Sequence, residues 1–210
     1  MWNQDDCIAV KDHSENMLFE RIQASGMGLS IGSISDGIVN NITFRDIYMD
    51  HTFKGIYMKF KGEDGGEGAT ISNILYENIY MDSPEQWAIW IGPAQQSVSR
   101  RICHAEPCSL CWPDLEQYGA KCNIYANYKY SNILLKNVTI VNPTNRNGMG
   151  VLLANTTTPM ENIVFDGVRV IGAEGNLGNY HTCSGVVNGI AIGDTYPVPD
   201  CFKDETLSFS

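Results

Sequence analysis

Asp5 and Asp6 stand side by side in Asn3-Gln-Asp-Asp-Cys7, immediately ahead of the apolar run Ile8-Ala-Val10. Two carboxylates that share a site repel each other until their proton affinities separate, so that one can donate a proton while the other accepts one. Further on, Ser25-Gly-Met-Gly-Leu-Ser-Ile-Gly-Ser33 is a glycine-rich bend in which Gly26 and Gly28 flank Met27. Such a bend lets backbone approach backbone, or a ligand, closely. A third segment, Gly55-Ile-Tyr-Met-Lys59, lies in a run where Lys54, Lys59 and Lys61 follow one another with no acid between them. That is a local anchor for a carboxylate-bearing ligand in an otherwise acidic chain. Taken singly, each feature has a plainer use: a surface cap, a tight corner, a solvated face.

The elements that must position these residues are read from a repeat. Asn16-Met-Leu-Phe-Glu-Arg-Ile22, Asn41-Ile-Thr-Phe-Arg-Asp-Ile47, Asn73-Ile-Leu-Tyr-Glu-Asn-Ile79, Asn132-Ile-Leu-Leu-Lys-Asn-Val138 and Asn162-Ile-Val-Phe-Asp-Gly-Val168 share one pattern: Asn, apolar, any, apolar, any, polar or small, apolar. The spacings are 25, 32, 59 and 30 residues, and the long one fits a single unit plus an insertion at about 95–130. Apolar residues alternate as in a strand, bend at a polar pair and resume in a second short strand such as Gly55–Phe60, Trp87–Ile91, Gly150–Leu153 or Gly189–Ile192. A unit of this kind cannot bury its apolar face alone, whereas stacked units cover one another. The pattern predicts an all-β parallel β-helix, one solenoid domain over 1–210, with the equivalent Asn side chains hydrogen-bonded as a ladder. An antiparallel sandwich fits less well, because the connections are not read as short Asn-Gly hairpin turns joining neighbouring strands, and the motif itself repeats.

Composition supports the same class. With 21 Ile against 11 Leu, 18 Asn and 20 Gly, β-branched and turn-forming residues outweigh good helix formers. A net charge of −10 argues against nucleic acid or an anionic membrane surface as partner, and no apolar run approaches the roughly 18 residues of a membrane span. Seven Cys and the glycosylation triplets at Asn41, Asn137 and Asn155 point to the secretory pathway. The first residues have no basic and apolar leader, so no signal peptide is expected within the chain.

In this order the segments resemble the polygalacturonase family of pectin-cleaving glycoside hydrolases, whose fold is a right-handed parallel β-helix. The family signature runs Asn-x-Asp, Asp-Asp, Gly-His-Gly, Arg-Ile-Lys, one coil apart. Asn3-Gln-Asp5-Asp6-Cys7 is similar to the second element, Gly26-Met27-Gly28 to the third except at its centre, and Tyr57-Met58-Lys59 to the fourth with only the Lys retained. The resemblance implies a secreted, cell-wall-directed hydrolase of pectin-like or uronate-containing polysaccharide, working by inversion without metal or organic cofactor. Asp5 would be the general acid, Asp6 a residue that activates water, and Lys59 a contact to the substrate carboxylate, with Asn3, Gly26, Met27, Gly28 and Tyr57 lining the groove. The first signature element would lie ahead of Asn3, so the chain is expected to be the carboxyl-terminal portion of the family domain.

Three departures bear on chemistry. Met27 cannot exchange a proton, Tyr57 cannot form a bidentate pair with a uronate carboxylate, and the upstream Asp is missing. A catalytically inactive carbohydrate-binding β-helix is therefore the alternative reading. For Asp5 and Asp6 to face one cleft the backbone must bend between them, since neighbours on a straight strand point to opposite faces. The resemblance also favours disulfides over zinc for Cys103, Cys108, Cys111 and Cys122 despite neighbouring His104, a clip between Cys183 and Cys201, and a buried thiol at Cys7, whose usual partner position is Gln23. His13 and His51 are expected on the surface, His181 is no better placed as a catalyst, and Trp87 and Trp90 are expected in the core rather than as a sugar platform.

Overall fold

A computed structural model describes residues 4–63, 65–96, 109–144, 148–173 and 181–206. Its strands are β1 (Ile8–Val10), β2 (Glu15–Ala24), β3 (Leu29–Ile34), β4 (Asp36–Asp50), β5 (Ile56–Phe60), β6 (Gly68–Asp82), β7 (Ile89–Pro93), β8 (Tyr128–Val141), β9 (Gly150–Leu153), β10 (Met160–Ile171), β11 (His181–Ser184), β12 (Val186–Val187), β13 (Ile190–Gly193) and β14 (Lys203–Thr206). One short 3-10 helix, Pro113–Tyr118, lies between β7 and β8.

The long strands explain the coil. In β4 the residues Val39, Ile42, Phe44, Ile47 and Met49 are buried, a pattern that a straight strand of period two cannot produce. The alternation is reset at Asn41 and Asp46, whose φ angles of 56° and 57° are left-handed. Each such residue turns the chain, so that Val39 and Ile42 face inward on either side of the first corner and Phe44 and Ile47 on either side of the second. The same pair of corners recurs at Asn16 and Arg21 in β2, Asn73 and Asn78 in β6, Asn132 and Asn137 in β8, and Asn162 and Gly167 in β10. Asn, Asp and Gly enter this conformation at least cost; Arg21, at φ 56°, is the exception.

Every ladder between the paired strands is parallel. The short strands form one sheet in the order β1-β3-β5-β7-β9-β11, and the long strands a second in the order β14-β13-β10-β8-β6-β4-β2, with β12 beside β10. The chain thus alternates between two sheets as it climbs, which is a parallel β-helix. Residues in register stack like on like inside it: Ile42 on Ile74 on Ile133 on Ile163, and Ile47 on Ile79 on Val138 on Val168. Phe19, Phe44 and Tyr76 stack with ring centres 5.0 and 4.6 Å apart. The phenol groups that enter this interior are hydrogen-bonded, Tyr76 donating to the Leu29 carbonyl at 3.3 Å and Tyr130 to that of Gly92 at 2.6 Å.

The asparagine ladder forms, with one displaced rung. Asn41 donates to Asn16 (2.8 Å), Asn132 to Asn73 (3.1 Å) and Asn162 to Asn132 (2.9 Å), whereas Asn73 donates to Asn40 rather than Asn41 (2.7 Å). A sixth member was not read from the sequence: Asn188, at φ 55°, donates to Asn162 at 3.3 Å. The strand after it is the one misassigned above. Gly189–Ile192 was expected in the short-strand sheet, yet Ile190 pairs with Val164 in the long-strand sheet. The unit was disguised because Gly189 stands where the others carry an apolar side chain, and the ring of Phe202 fills that space, 4.9 Å from Phe165.

Cys183 is joined to Cys201 and Cys111 to Cys122. Cys103, Cys108 and His104 lie outside the described residues, so their pairing is not assigned. Cys7 is a buried thiol, accepting from the Ser25 N–H at 3.2 Å and donating to the Ser25 carbonyl.

Candidate functional site

The short-strand sheet brings the predicted segments into successive rungs. The Met27 N–H donates to the Asp5 carbonyl (3.0 Å), Cys7 to Gly28 (2.9 Å), Phe53 to Gly26 (2.8 Å) and Leu29 to Gly55 (2.8 Å). Gly28 is required for this stacking: at φ 97° it lies so close to the next rung that an added Cβ would stand 2.5 Å from the carbonyl oxygens of Lys54 and Gly55. Further along, an added Cβ on Gly32 would meet the backbone and side chain of Lys59. On the outer face, Ser30, Tyr57, Trp90 and Val151 stand in one column across four strands.

The backbone bends at Gln4-Asp5 and again at Cys7, as the two-carboxylate reading requires. The Asp6 carboxylate turns onto the sheet, accepting from the Ser30 hydroxyl and lying 3.3 Å from the Lys59 ammonium, with both side chains largely buried. Asp5 is exposed; its carboxylate accepts the Asp6 N–H at 2.7 Å, and its charge reaches Lys59. Lys59 also stands 3.9 Å from the ring centre of Tyr57. Burial lowers the Lys59 pKa, against the opposing pull of Asp6. Burial, and after it the charge of Asp6, pushes the Tyr57 hydroxyl well up, so it stays a neutral donor across the working range.

Around this pair lies a second apolar cluster, separate from the coil interior: Tyr57, Trp87, Trp90, Cys111 and Val151, with Met27 and Trp112 packed against it. Trp87 and Trp90 are therefore buried, as expected, but on the outside of the coil, and the segment clipped by Cys111–Cys122 covers them. Met27, Lys54, Tyr57, Trp90, Gln95, Ser109 and Trp112 line a small pocket there. Lys54 is 3% exposed and donates to Gln86 at 2.7 Å. Burial first, and the charge of Lys59 second, lower its pKa to about 7.

The expected site residues thus divide. Asp5, Asp6, Gly26, Met27, Gly28, Tyr57 and Lys59 share three neighbouring rungs, while Asn3 lies outside the described residues and Lys61 is exposed. His13 and His51 are exposed and pair with Asp36 (3.1 Å) and Asp50 (2.6 Å). His181 is buried beside Phe165, its pKa lowered to about 4 by desolvation. Ser30, Gln86 and Trp112 were missed. Ser30 carried a signal, since the Gly-x-Gly-Leu-Ser segment sets it in register with Tyr57; Trp112 carried none, because the insertion does not repeat.

A family model described as glycosyl hydrolases family 28 matches residues 1–109. The chain belongs to glycosyl hydrolases family 28. A probable endopolygalacturonase D of Aspergillus oryzae is 28% identical over 183 residues, covering 85% of this chain and 32% of the relative. An endopolygalacturonase of Emericella nidulans is 33% identical over 94 residues, or 43% of this chain and 24% of the relative. An exopolygalacturonase of the same organism is 26% identical over 174 residues, or 69% and 40%. The chain spans about a third of the length of the first of these relatives. The parallel β-helix of this chain is the fold expected of the resemblance.

Proposed function

We propose that this chain is a secreted hydrolase of pectin-like or other uronate-bearing polysaccharide, acting by inversion on the outer face of the short-strand sheet. Asp5 donates its proton to the departing glycosidic oxygen. Water attacks the anomeric carbon from the opposite face of the sugar and passes a proton to the Asp6 carboxylate, which Ser30 and Lys59 hold in place; exchange with solvent resets both groups. One observation carries this reading: a hydroxyl and an ammonium from two further rungs hold the Asp6 carboxylate against the short-strand sheet, while Asp5, its neighbour, is left open to solvent. The disulfides Cys111–Cys122 and Cys183–Cys201 support an oxidising, extracellular setting. The domain is taken as one solenoid over 1–210, with 95–130 as an insertion.

The test is reducing-sugar release from polygalacturonate. Asp5→Asn and Asp6→Asn should each lower the rate by about 10²–10⁴-fold without loss of polymer binding, and product anomers should appear inverted by NMR. A wild-type chain that binds the polymer but releases no sugar would favour the second reading, an inactive carbohydrate-binding β-helix. Met27 and the permanently protonated Tyr57 support that alternative, since neither can take part in proton exchange.

A further inference from the structure

Lys54 is the charge that the mechanism above leaves unused. Its ammonium is buried, gives one hydrogen bond to the Gln86 carboxamide, and stands 4.8 and 5.6 Å from the ring centres of Tyr57 and Trp90. Among the described residues no carboxylate lies within ion-pair distance of it. An ammonium offers three N–H donors. Ring faces offset part of its charge, yet a buried cation without a counter-charge remains costly. A methionine would fill the same volume without that cost.

The amine opens onto the pocket bordered by Met27, Tyr57, Trp90 and Trp112, beside the Asp6–Lys59 pair. Lys59, the expected carboxylate contact, is already committed to Asp6 and the Tyr57 ring. We propose that Lys54, rather than Lys59, is the group that selects an acidic sugar: a uronosyl carboxylate enters the pocket between Met27 and Trp112 and accepts from the Lys54 ammonium. The inference rests on reading this groove as a polysaccharide site. It assigns the two lysines different tasks, Lys59 to the position of Asp6 and Lys54 to the substrate.

The experiment is a tryptophan-fluorescence titration of the Asp5→Asn chain with trigalacturonate and with the neutral galactose trisaccharide at pH 6. The acidic sugar should bind at least about ten-fold more tightly. Lys54→Met should erase that preference at unchanged affinity for the neutral sugar, Lys54→Arg should keep most of it, and Lys59→Met should keep it while lowering turnover in the otherwise wild-type chain. A preference that survives Lys54→Met, or is absent from the start, overturns the proposal. If Lys54→Met does not unfold cooperatively, the pH dependence decides. The groups facing Lys54 are Asp6, Lys59 and Tyr57. As Lys54 gives up its proton the preference should fall between pH 6 and pH 8, and a flat profile overturns the proposal. Absence of sugar release with an intact Lys54-dependent preference would sink the hydrolase reading alone; sugar release with a preference indifferent to Lys54 would sink this one alone.

Discussion

The coil interior and the aromatic cluster outside it are both buried, and they are built by opposite rules. Inside, apolar side chains stack on their own kind from rung to rung, and the phenols that enter are hydrogen-bonded to carbonyls. Outside, the rings of Tyr57, Trp87, Trp90 and Trp112 meet at steep angles, Tyr57 against Trp90 at 88°, Trp87 against Trp90 at 68° and Trp87 against Trp112 at 53°, and they border an ammonium with no counter-ion among the described residues. The Trp87 indole N–H there also has no partner among the described residues. The interior lowers the free energy of the fold. The outer cluster instead holds polar groups that the fold leaves without a full set of partners among the described residues.

The sharpest way to break this contrast is to damage each region in turn. Phe44→Ala, in the middle of the interior stack, should cost about 3–5 kcal/mol in denaturant unfolding and lower activity only through loss of folded protein. If it costs no more than a surface substitution, the stack is not the source of stability. Gly28→Ala should cost about 2 kcal/mol or more, because the added methyl meets backbone rather than a movable side chain. Unlike Phe44→Ala it should also reduce ligand affinity in the molecules that remain folded, since it displaces Lys54 and Met27 together.

The titration of Lys54 sharpens the comparison further. Its folded pKa, about 7, lies below the ordinary lysine value of 10.5, so between these limits the unfolded chain holds more protons than the folded one. Stability should therefore rise with pH from about 7 toward 10, by up to about 1.4 kcal/mol per pH unit for one proton. Lys54→Met should remove most of that slope, leaving the smaller part due to Lys59. An equal slope in both proteins would mean that Lys54 is solvated. Smallest of all, Asn73→Ala should cost about 1–2 kcal/mol and Asn73→Gly less, because glycine keeps the left-handed corner and loses only the ladder amide.

The coil was legible in the sequence because its corners repeat. Asn16, Asn41, Asn73, Asn132 and Asn162 mark positions where only a few residues adopt a left-handed backbone comfortably, so the pattern follows from local sterics. The ladder was visible for the same reason, whereas its sixth rung was hidden by Gly189 and by Phe202, which reaches in from a later segment. The site was legible as far as the family resemblance and rung register carry: Asp5, Asp6, Met27, Tyr57 and Lys59 match or replace signature positions that lie one coil apart. The burial of Lys54 was not, since a run of three lysines gives no sign of which one is buried, and the pocket it lines is completed by Trp112 from a segment outside the repeat.

That segment illustrates a general property of coils. Ile89 pairs with Gly150 in the same sheet that joins Leu29 to Ile56, although a far longer connection separates the first pair. The entropy of closing a loop grows only with the logarithm of its length, about 0.6 kcal/mol for each doubling. A solenoid can therefore lengthen any single excursion and leave the winding untouched, so new specificities accumulate sideways, one excursion at a time.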